Sequence, residues 1–288
     1  MTLKPSINFY LAYLQWQTRS LQPEHFYLGK SLGTEPCHWN QQSGWPQAVQ
    51  QLFLEESCWW QRARDCYQKI LEAGIELVCY GEDFYPESFR QLHRPPLVVS
   101  YLGSSDWLKG NHLAVVGSRQ LTHSSQQWID CHLRSVVQQL PILVLSGGAR
   151  GTDQAAHSLC LRLGHSTACF LPSGLLNPYP SVLANWFDPI ISCGGAVISP
   201  YAPWEKMRRG HFHLRNHMMA ALSQVVLAID ASRRSGTLIT ARAAMNYGKT
   251  VATVPTHPLQ EQGLGGLDLL FDGAIPVRDD LDLLALLS

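Results

Sequence analysis

The sequence of 288 residues is poor in charged side chains, which make up 15% of it, against roughly 25% in an average globular protein. Its 22 Lys and Arg residues balance 22 Asp and Glu residues, so the formal net charge is zero. A polyanionic partner would therefore have to bind at a local basic patch, because no overall positive charge attracts it. Composition alone does not indicate a nucleic-acid-binding protein.

Long apolar runs and paired cysteines are missing as well. No stretch approaches the ~18 apolar residues of a membrane span, and the first residues lack the apolar core and cleavage site of a secretory signal. The eight cysteines are scattered without a C-x-x-C pair, which favours buried free thiols in a reducing compartment over disulfides or zinc. The sequence therefore predicts a cytoplasmic protein without a membrane segment.

Apolar residues are plentiful at 45%, with nine Trp, ten Tyr and nine Phe, enough for one large domain and a small accessory one. Residues 1–74 carry helical spacing over 7–19 and 57–73, separated by a polar connector over 31–45. From residue 75, short apolar strands alternate with amphipathic helices, a pattern typical of a parallel sheet covered on both faces. We expect a small helical domain over 1–74 and an α/β domain over 75–288.

The strand and helix segments are predicted as follows. The strands are Leu113–Val116, Ile142–Leu145, Ser166–Leu171, Ala196–Ile198, Val225–Ile229 and Thr250–Val254. The helices are Ser124–Gln139, Thr152–Leu163, Val182–Ile191, Asn216–Leu222, Thr237–Tyr247 and Asp279–Leu287. Ligands of such sheets bind at the carboxyl ends of the strands, near the point where the strand order reverses. The loops after the strands are therefore the candidate sites.

The first of these loops is Gly117, Ser118 and Arg119, directly after a strand. The glycine lets the backbone approach a ligand, the hydroxyl donates a hydrogen bond, and the guanidinium can grip a phosphate with two donors. Ordinary strand-to-helix turns also contain such triplets, so this loop by itself is a weak signal.

The second loop carries three glycines in five positions between a strand and a helix. Backbone N–H groups at a helix N-terminus form a cradle for phosphate when no side chains block them. The loop matches neither the P-loop of nucleotide hydrolases nor the dinucleotide-binding fingerprint. We favour phosphate binding over turn chemistry alone. The candidate residues are Gly147, Gly148, Arg150, Gly151, Thr152 and Asp153.

Three side chains of the following helix have alternative interpretations. Thr152 or Asp153 could serve as the N-cap, and Asp153 with His157 could form an acid–base pair or bind a metal. We favour an Asp153 that caps or orients the loop and a His157 packed beneath it. No second cluster of ligands accompanies the pair, so neither a metal nor a cofactor is predicted.

The third loop, Trp204–His217, packs four cations and two aromatic residues into fourteen positions. Its cations could neutralise phosphates and its aromatic rings could stack on bases, although Phe212 could equally anchor the loop to the core. A further cationic turn, 233–237, opens another helix. Together these loops suggest one extended groove for a polyanion. The candidates here are Lys206, Arg208, Arg209, Phe212, Arg215, Asn216, Ser235 and Gly236.

In order, the motifs read G-S-R (117–119), S-G-G-A-R-G-T-D-x-A-A-H (146–157), G-x-x-N-P-Y-P (174–180), F-x-x-R-N (212–216) and S-G-T-L-I-T-A-x-x-A (235–244). This series resembles the DNA processing protein A (DprA/Smf) family over roughly residues 75–278. The resemblance implies an extended Rossmann-like fold that dimerises, binds and protects single-stranded DNA in natural transformation, and helps to load RecA recombinase. It implies no enzymatic activity. It assigns phosphate binding to Arg119 and the glycine loop, and maps the F-x-x-R-N motif onto Phe212, Arg215 and Asn216.

One departure from the family pattern concerns charge, and two other functions compete. The usual R-N-R reads Arg215-Asn216-His217 here, so that a titratable group replaces a permanent charge. The glycine loop is also reminiscent of LOG-like phosphoribohydrolases, but the following helix lacks their catalytic glutamate. A pure protein–protein module is the other alternative. We interpret the chain as a non-catalytic single-stranded DNA-binding protein.

Overall fold

The computed structural model describes residues 5–33 and 36–288, and within them nine strands form one sheet in the order β1-β2-β6-β5-β4-β3-β7-β8-β9. The strands are β1 (Glu76–Cys79), β2 (Val98–Gly103), β3 (His112–Gly117), β4 (Leu143–Ser146), β5 (Thr167–Phe170), β6 (Ala196–Ser199), β7 (Val225–Ile229), β8 (Thr250–Thr253) and β9 (Ile275–Pro276).

The α-helices of the same residues are α1 (Ile7–Thr18), α2 (Pro23–Ser31), α3 (Gln47–Glu55), α4 (Trp59–Glu72), α5 (Glu87–Arg90), α6 (His123–Trp128), α7 (Arg134–Gln139), α8 (Thr152–Arg162), α9 (Ala184–Ser192), α10 (His211–Leu222), α11 (Gly236–Asn246), α12 (Leu264–Phe271) and α13 (Asp280–Leu287). A π-helical segment, Ile129–Leu133, joins α6 to α7.

Strands β3 to β9 are parallel, and β1 and β2 add an antiparallel edge. The chain starts the parallel part at β3, moves outward through β4, β5 and β6, and then returns to β7 on the other side of β3. The strand order therefore reverses between β3 and β7, where such sheets bind ligands. The predicted α/β class with a mostly parallel sheet and an N-terminal helical region is confirmed, whereas β1 and β2 were not predicted as strands.

The central strands are buried on both faces, which explains their unbroken apolar sequence. In β3, Leu113 and Val115 join the core under the helices α6 to α8, while Ala114 and Val116 join the core under α10 and α11. Successive side chains of a strand point to opposite faces, so both must be apolar when helices cover both sides.

The N-terminal helices pack on the sheet through a shared apolar core that includes Cys169 and Val197. The prediction of a connector over residues 31–45 is wrong over residues 36–41, because a 3-10 helix spans Pro36–Gln41. Trp39 and Trp45 are buried there, with ring centroids 5.4 Å apart. The aromatic stacking orders a segment whose polar composition resembles a loop; residues 34–35 lie outside the described residues. The domain boundary after residue 74 stays a prediction.

A second correction concerns α10, which begins at His211 rather than at Asn216. The last part of the predicted loop 204–217 is therefore helical. No side chain caps this helix at Gly210, so the usual sequence signal of a helix start is missing. A tertiary contact marks the start instead, since the His211 ring stacks on Tyr201 at 3.9 Å between centroids.

Two expectations from composition can be compared with the structure. None of the helices in residues 5–33 and 36–288 combines the length and apolar character needed to cross a membrane. Cys79, Cys160 and Cys169 are buried free thiols, and burial raises the pKa of Cys160 and of Cys169 to about 12. These thiols are thus held in their neutral form.

Candidate nucleic-acid interface

The turn after β3 is shaped by close packing against its neighbours. A Cβ atom at Gly117 would lie 2.1 Å from the carbonyl oxygen of Ile229 and 2.3 Å from Oγ1 of Thr152, so only glycine fits. The carbonyl oxygen of Ser118 accepts hydrogen bonds from the N–H of Thr152 at 3.1 Å and from its hydroxyl at 3.2 Å. The first turn of α8 thereby holds this backbone in place and leaves the side chain of Arg119 exposed.

The glycine loop after β4 lies directly against this turn. Gly148 and Gly151 have φ values of +69° and +88°, which glycine adopts at little cost. A Cβ atom at Gly151 would lie 2.3 Å from the carbonyl oxygen of Ser118 and 2.7 Å from the carbonyl carbon of Arg119. The two loops, well separated in sequence, therefore form one continuous surface at the point where the strand order reverses.

Asp153 holds the glycine loop in shape. Its Oδ2 accepts hydrogen bonds from the N–H groups of Gly147 and Ala149, each at 3.2 Å. The N-cap of α8 is Gly151, so neither Thr152 nor Asp153 caps the helix, and the orienting role is the one that the contacts support. Within the described residues, the backbone amides of the loop that make no hydrogen bond belong to Gly148, Arg150 and Gly151.

Arg215 lies buried beneath this loop rather than on the surface. It is 5% exposed, and its Nη1 is 1.3 Å from the place where a Cβ of Gly147 would be. Its Nε has no hydrogen-bond partner among the described residues. Burial lowers the pKa of Arg215 and raises that of Asp153, and the attraction between the two groups opposes both shifts. An incompletely compensated guanidinium under an amide-rich loop favours an anion above it.

The remaining candidates are three exposed cations and one partly buried aromatic ring. Lys206, Arg208 and Arg209 are exposed. Phe212 is partly buried, 6.2 Å from the ring of Tyr179, and the Arg215 guanidinium lies 5.6 Å from its centroid. Phe212 belongs to none of the hydrophobic core clusters of the described residues, so these contacts do not show that it anchors the segment to the core, and its stacking on a base stays a prediction.

The turn before α11 reaches the same region from the other side. A Cβ at Gly236 would lie 3.9 Å from Nδ2 of the buried Asn216, which ties Ser235 and Gly236 to α10. Arg233 of this turn differs from the exposed Arg119, because its guanidinium already makes two hydrogen bonds to Asp268, at 2.8 and 3.1 Å.

An open cleft of about 880 Å³ extends from Arg119 between the segment that leads into α6 and the helix α8. Some of the residues that line this cleft were not predicted as site residues from the sequence. Trp186 of α9 supplies an aromatic wall, and Gln126 and Gln154 supply amide groups. An amphipathic pattern gives no signal for these residues, since only the packing of α9 beside α8 brings the indole to the cleft. The lining residues are Arg119, Gln120, Leu121, Gln126, Arg150, Gly151, Gln154, Ala155, Ser158 and Trp186.

His157 is fully buried below the cleft, as the sequence interpretation favoured. Its Nδ1 lies 2.8 Å from Oγ1 of Thr167. Burial lowers the pKa of His157 to about 4, and the nearby charge of Arg215 acts in the same direction. In residues 5–33 and 36–288, no group of three or more His, Cys, Asp or Glu side chains could hold a metal ion. The hydrogen bonds of Asp153 and His157 are with groups of the protein itself, the loop amides and Thr167 respectively.

Known proteins match both the sequence and the fold. The family model of DNA recombination-mediator protein A matches residues 76–288. Protein Smf of Synechocystis sp. is 33% identical over 208 residues, which cover 71% of this chain but only 52% of that protein. DNA processing protein DprA of Streptococcus pneumoniae is 32% identical over 204 residues, or 71% of each chain. The aligned part thus spans about half of the Synechocystis relative and most of the Streptococcus one.

Two solved structures extend the comparison to the whole fold. DNA processing protein A of S. pneumoniae superposes with a TM-score of 0.80 at 26% identity and covers 99% of both chains. DNA processing protein A of Helicobacter pylori, whose structure was described for its single-stranded DNA binding mode, superposes with a TM-score of 0.64 at 25% identity and covers 73% of this chain and 94% of that one. From the family match and these relatives, we conclude that this chain belongs to the DNA recombination-mediator protein A (DprA) family.

Proposed function

We propose that the chain binds single-stranded DNA across the turn of Arg119 and the glycine loop 147–151. One observation carries the proposal: Gly151 packs on the backbone of Ser118 and Arg119, while Gly147 packs on the guanidinium of Arg215. Three cation- or amide-bearing segments from different parts of the chain thereby meet at one edge of the sheet. The single-stranded DNA binding mode described for the H. pylori relative supports the same ligand class.

The chemistry of the edge suits a nucleotide chain. Arg119, Arg150 and the amides of the loop can bind phosphates, and the exposed Lys206, Arg208 and Arg209 can follow the strand further along the rim. The cleft offers the indole of Trp186 for stacking on a base. Such a local basic edge accounts for DNA binding by a protein of zero net charge.

A salt titration tests the proposal. We expect the logarithm of the single-stranded DNA association constant to fall linearly with the logarithm of the salt concentration. For three to five phosphates neutralised by the exposed cations, the slope should be about −2 to −3.5, since each phosphate on a single strand contributes about −0.7. The measurement is fluorescence anisotropy with a labelled oligonucleotide, with a duplex of the same length as the comparison. A flat response would rule out phosphate contacts.

We further propose that the chain forms a homodimer through the edge of the sheet at β9. Phe271 is 94% exposed and Leu259 is 86% exposed, and Ile275 of β9 is also exposed. β9 is the last strand of the sheet. Exposed apolar side chains beside an edge strand are typical of an interface.

We expect Phe271→Asp to convert the dimer into a monomer, because it would place a charge in an apolar contact. Sedimentation equilibrium measures the mass. Leu54→Asp, at an 82% exposed site in α3, is the matched control and should remain dimeric. A wild-type protein that sediments as a monomer at micromolar concentration would refute the dimer.

The proposed cellular role is that of a non-catalytic cytoplasmic protein that protects single-stranded DNA in natural transformation and helps to load RecA. Buried free thiols such as Cys160 and Cys169 suit a reducing compartment. Asp153 and His157, the acid–base candidates, are engaged in the fold, which disfavours the phosphoribohydrolase alternative. Nuclease protection and the rate of RecA filament assembly on an oligonucleotide test the role. Release of ribose phosphate from a nucleoside monophosphate would contradict it.

A further inference from the structure

Two histidines of α10 face each other on the helix surface, away from the buried Arg215. His213 and His217 are four residues apart, so they lie one turn apart on the same face. Their rings are stacked with centroids 4.1 Å apart, and their Nε2 atoms are 3.2 Å apart. His213 is exposed and His217 partly exposed, so solvent and ions can reach the pair.

The two Nε2 atoms are within hydrogen-bond distance of each other, and this distance is also compatible with chelation of one ion. Imidazole nitrogens bind transition metals at about 2.0–2.1 Å, which places two ligands of one ion about 3.4 Å apart in tetrahedral and about 2.9 Å apart in octahedral geometry. The 3.2 Å separation lies between these values. The ring planes are inclined by 26°, so a rotation of the exposed His213 ring is needed to direct both lone pairs at one ion.

A neighbouring helix orients one of the two rings. Nδ1 of His217 is 2.5 Å from the hydroxyl oxygen of Tyr247, the residue that follows α11. When Nδ1 carries the proton and donates it to this oxygen, the lone pair is left on Nε2. Histidine ligands of metals use such an outer partner to fix the tautomer and the ring orientation.

We propose that His213 and His217 form a bidentate site for a divalent transition-metal ion. Imidazole ligands select ions such as Ni²⁺, Cu²⁺ and Zn²⁺ over Mg²⁺ and Ca²⁺. Two protein ligands leave the other coordination positions to water. The site depends on the residue at position 217, where the family pattern carries arginine, and it is independent of the DNA-binding proposal.

Ni²⁺ titration of untagged protein by isothermal calorimetry tests the site. The parent protein carries Cys58→Ser and Cys131→Ser, since these are exposed thiols that bind metals themselves. We expect one Ni²⁺ per chain at the pair, and an affinity at least tenfold lower in His213→Ala. Because His213 is exposed, this variant should fold normally, as circular dichroism will verify. His93→Ala, which removes another exposed histidine, is the control and should bind Ni²⁺ like the parent.

Two further measurements distinguish a chelating pair from two separate histidines. Tyr247→Phe keeps both Nε2 atoms and removes only the outer partner, so we expect about a tenfold loss of affinity, at the lower end of such effects. With Cu²⁺, the electron paramagnetic resonance spectrum should show two nitrogen ligands in the parent and fewer in His213→Ala. Equal Ni²⁺ affinity in His213→Ala and the parent, or fewer than two nitrogens in the parent spectrum, would overturn the proposal.

Discussion

Replacement of Arg119 by alanine is expected to weaken single-stranded DNA binding by about ten- to hundredfold without lowering the stability of the protein. Hydrogen bonds to a charged group contribute about 1.5–3 kcal/mol each, which corresponds to this range of affinity. The fold should tolerate the change, because the exposed Arg119 side chain makes no hydrogen bond or ion pair within the described residues. Its backbone contact with Gly151 is retained in the variant.

Arg233→Ala provides a matched control for this experiment. It removes the same charge from another strand-end loop, but its guanidinium is already bound to Asp268. We expect its affinity to change by less than about twofold, as for a rim charge outside the contact. Both variants are compared by fluorescence anisotropy at one salt concentration, with thermal unfolding as the test of folding. If Arg119→Ala bound DNA as tightly as the wild type, the proposed site would be wrong.

Substitution of Gly151 by alanine is expected to destabilise the fold by about 3 kcal/mol or more and to impair DNA binding as well. The backbone at Gly151 has φ +88° and ψ −125°, a region that is essentially restricted to glycine and costs other residues on the order of 1–3 kcal/mol. The added Cβ would also lie 2.3 Å from the carbonyl oxygen of Ser118. Since the obstacle is backbone, the turn that carries Arg119 would have to move.

Gly164→Ala separates these two causes. Gly164 also has a positive φ, of +64°, but a Cβ there would meet no atom of the described residues within 4 Å. We therefore expect the free energy of unfolding to fall by about 1–2 kcal/mol from backbone strain alone, and the DNA affinity to stay unchanged. Urea unfolding measures both variants. If Gly151→Ala and Gly164→Ala lowered the free energy of unfolding equally, the contact between the two loops would make no contribution to stability.

The success of the sequence-based prediction has a physical reason in the central sheet. Val225–Ile229 was predicted with the bounds that the structure has, because a strand covered on both faces must be apolar at every position. Strands β1, β2 and β9, at the two ends of the sheet order, were not predicted. Strand β1 is only four residues long, and its burial increases from the exposed Glu76 to the buried Val78 and Cys79 instead of alternating, so it carries no period-two pattern that would distinguish it from a turn or a frayed helix.

The start of α10 and the segment 36–41 were mispredicted for a related reason. Local chemistry indicates a loop in both, since Gly210 offers no cap and the segment around Trp39 is polar. Ring contacts with distant residues order them instead, those of Tyr201 with His211 and of Trp39 with Trp59. Local propensity is a weak signal wherever such tertiary contacts are available.

The amino-acid sequence by itself determined the alternation of strands and helices, the glycines after β3 and β4, and membership of the family, since each depends on residues close together in the chain. Only the tertiary structure decided that Arg215 lies beneath Gly147 and that Trp186 reaches the cleft. These contacts join segments far apart in sequence, and their geometry depends on how each helix packs on the sheet, which no local pattern encodes.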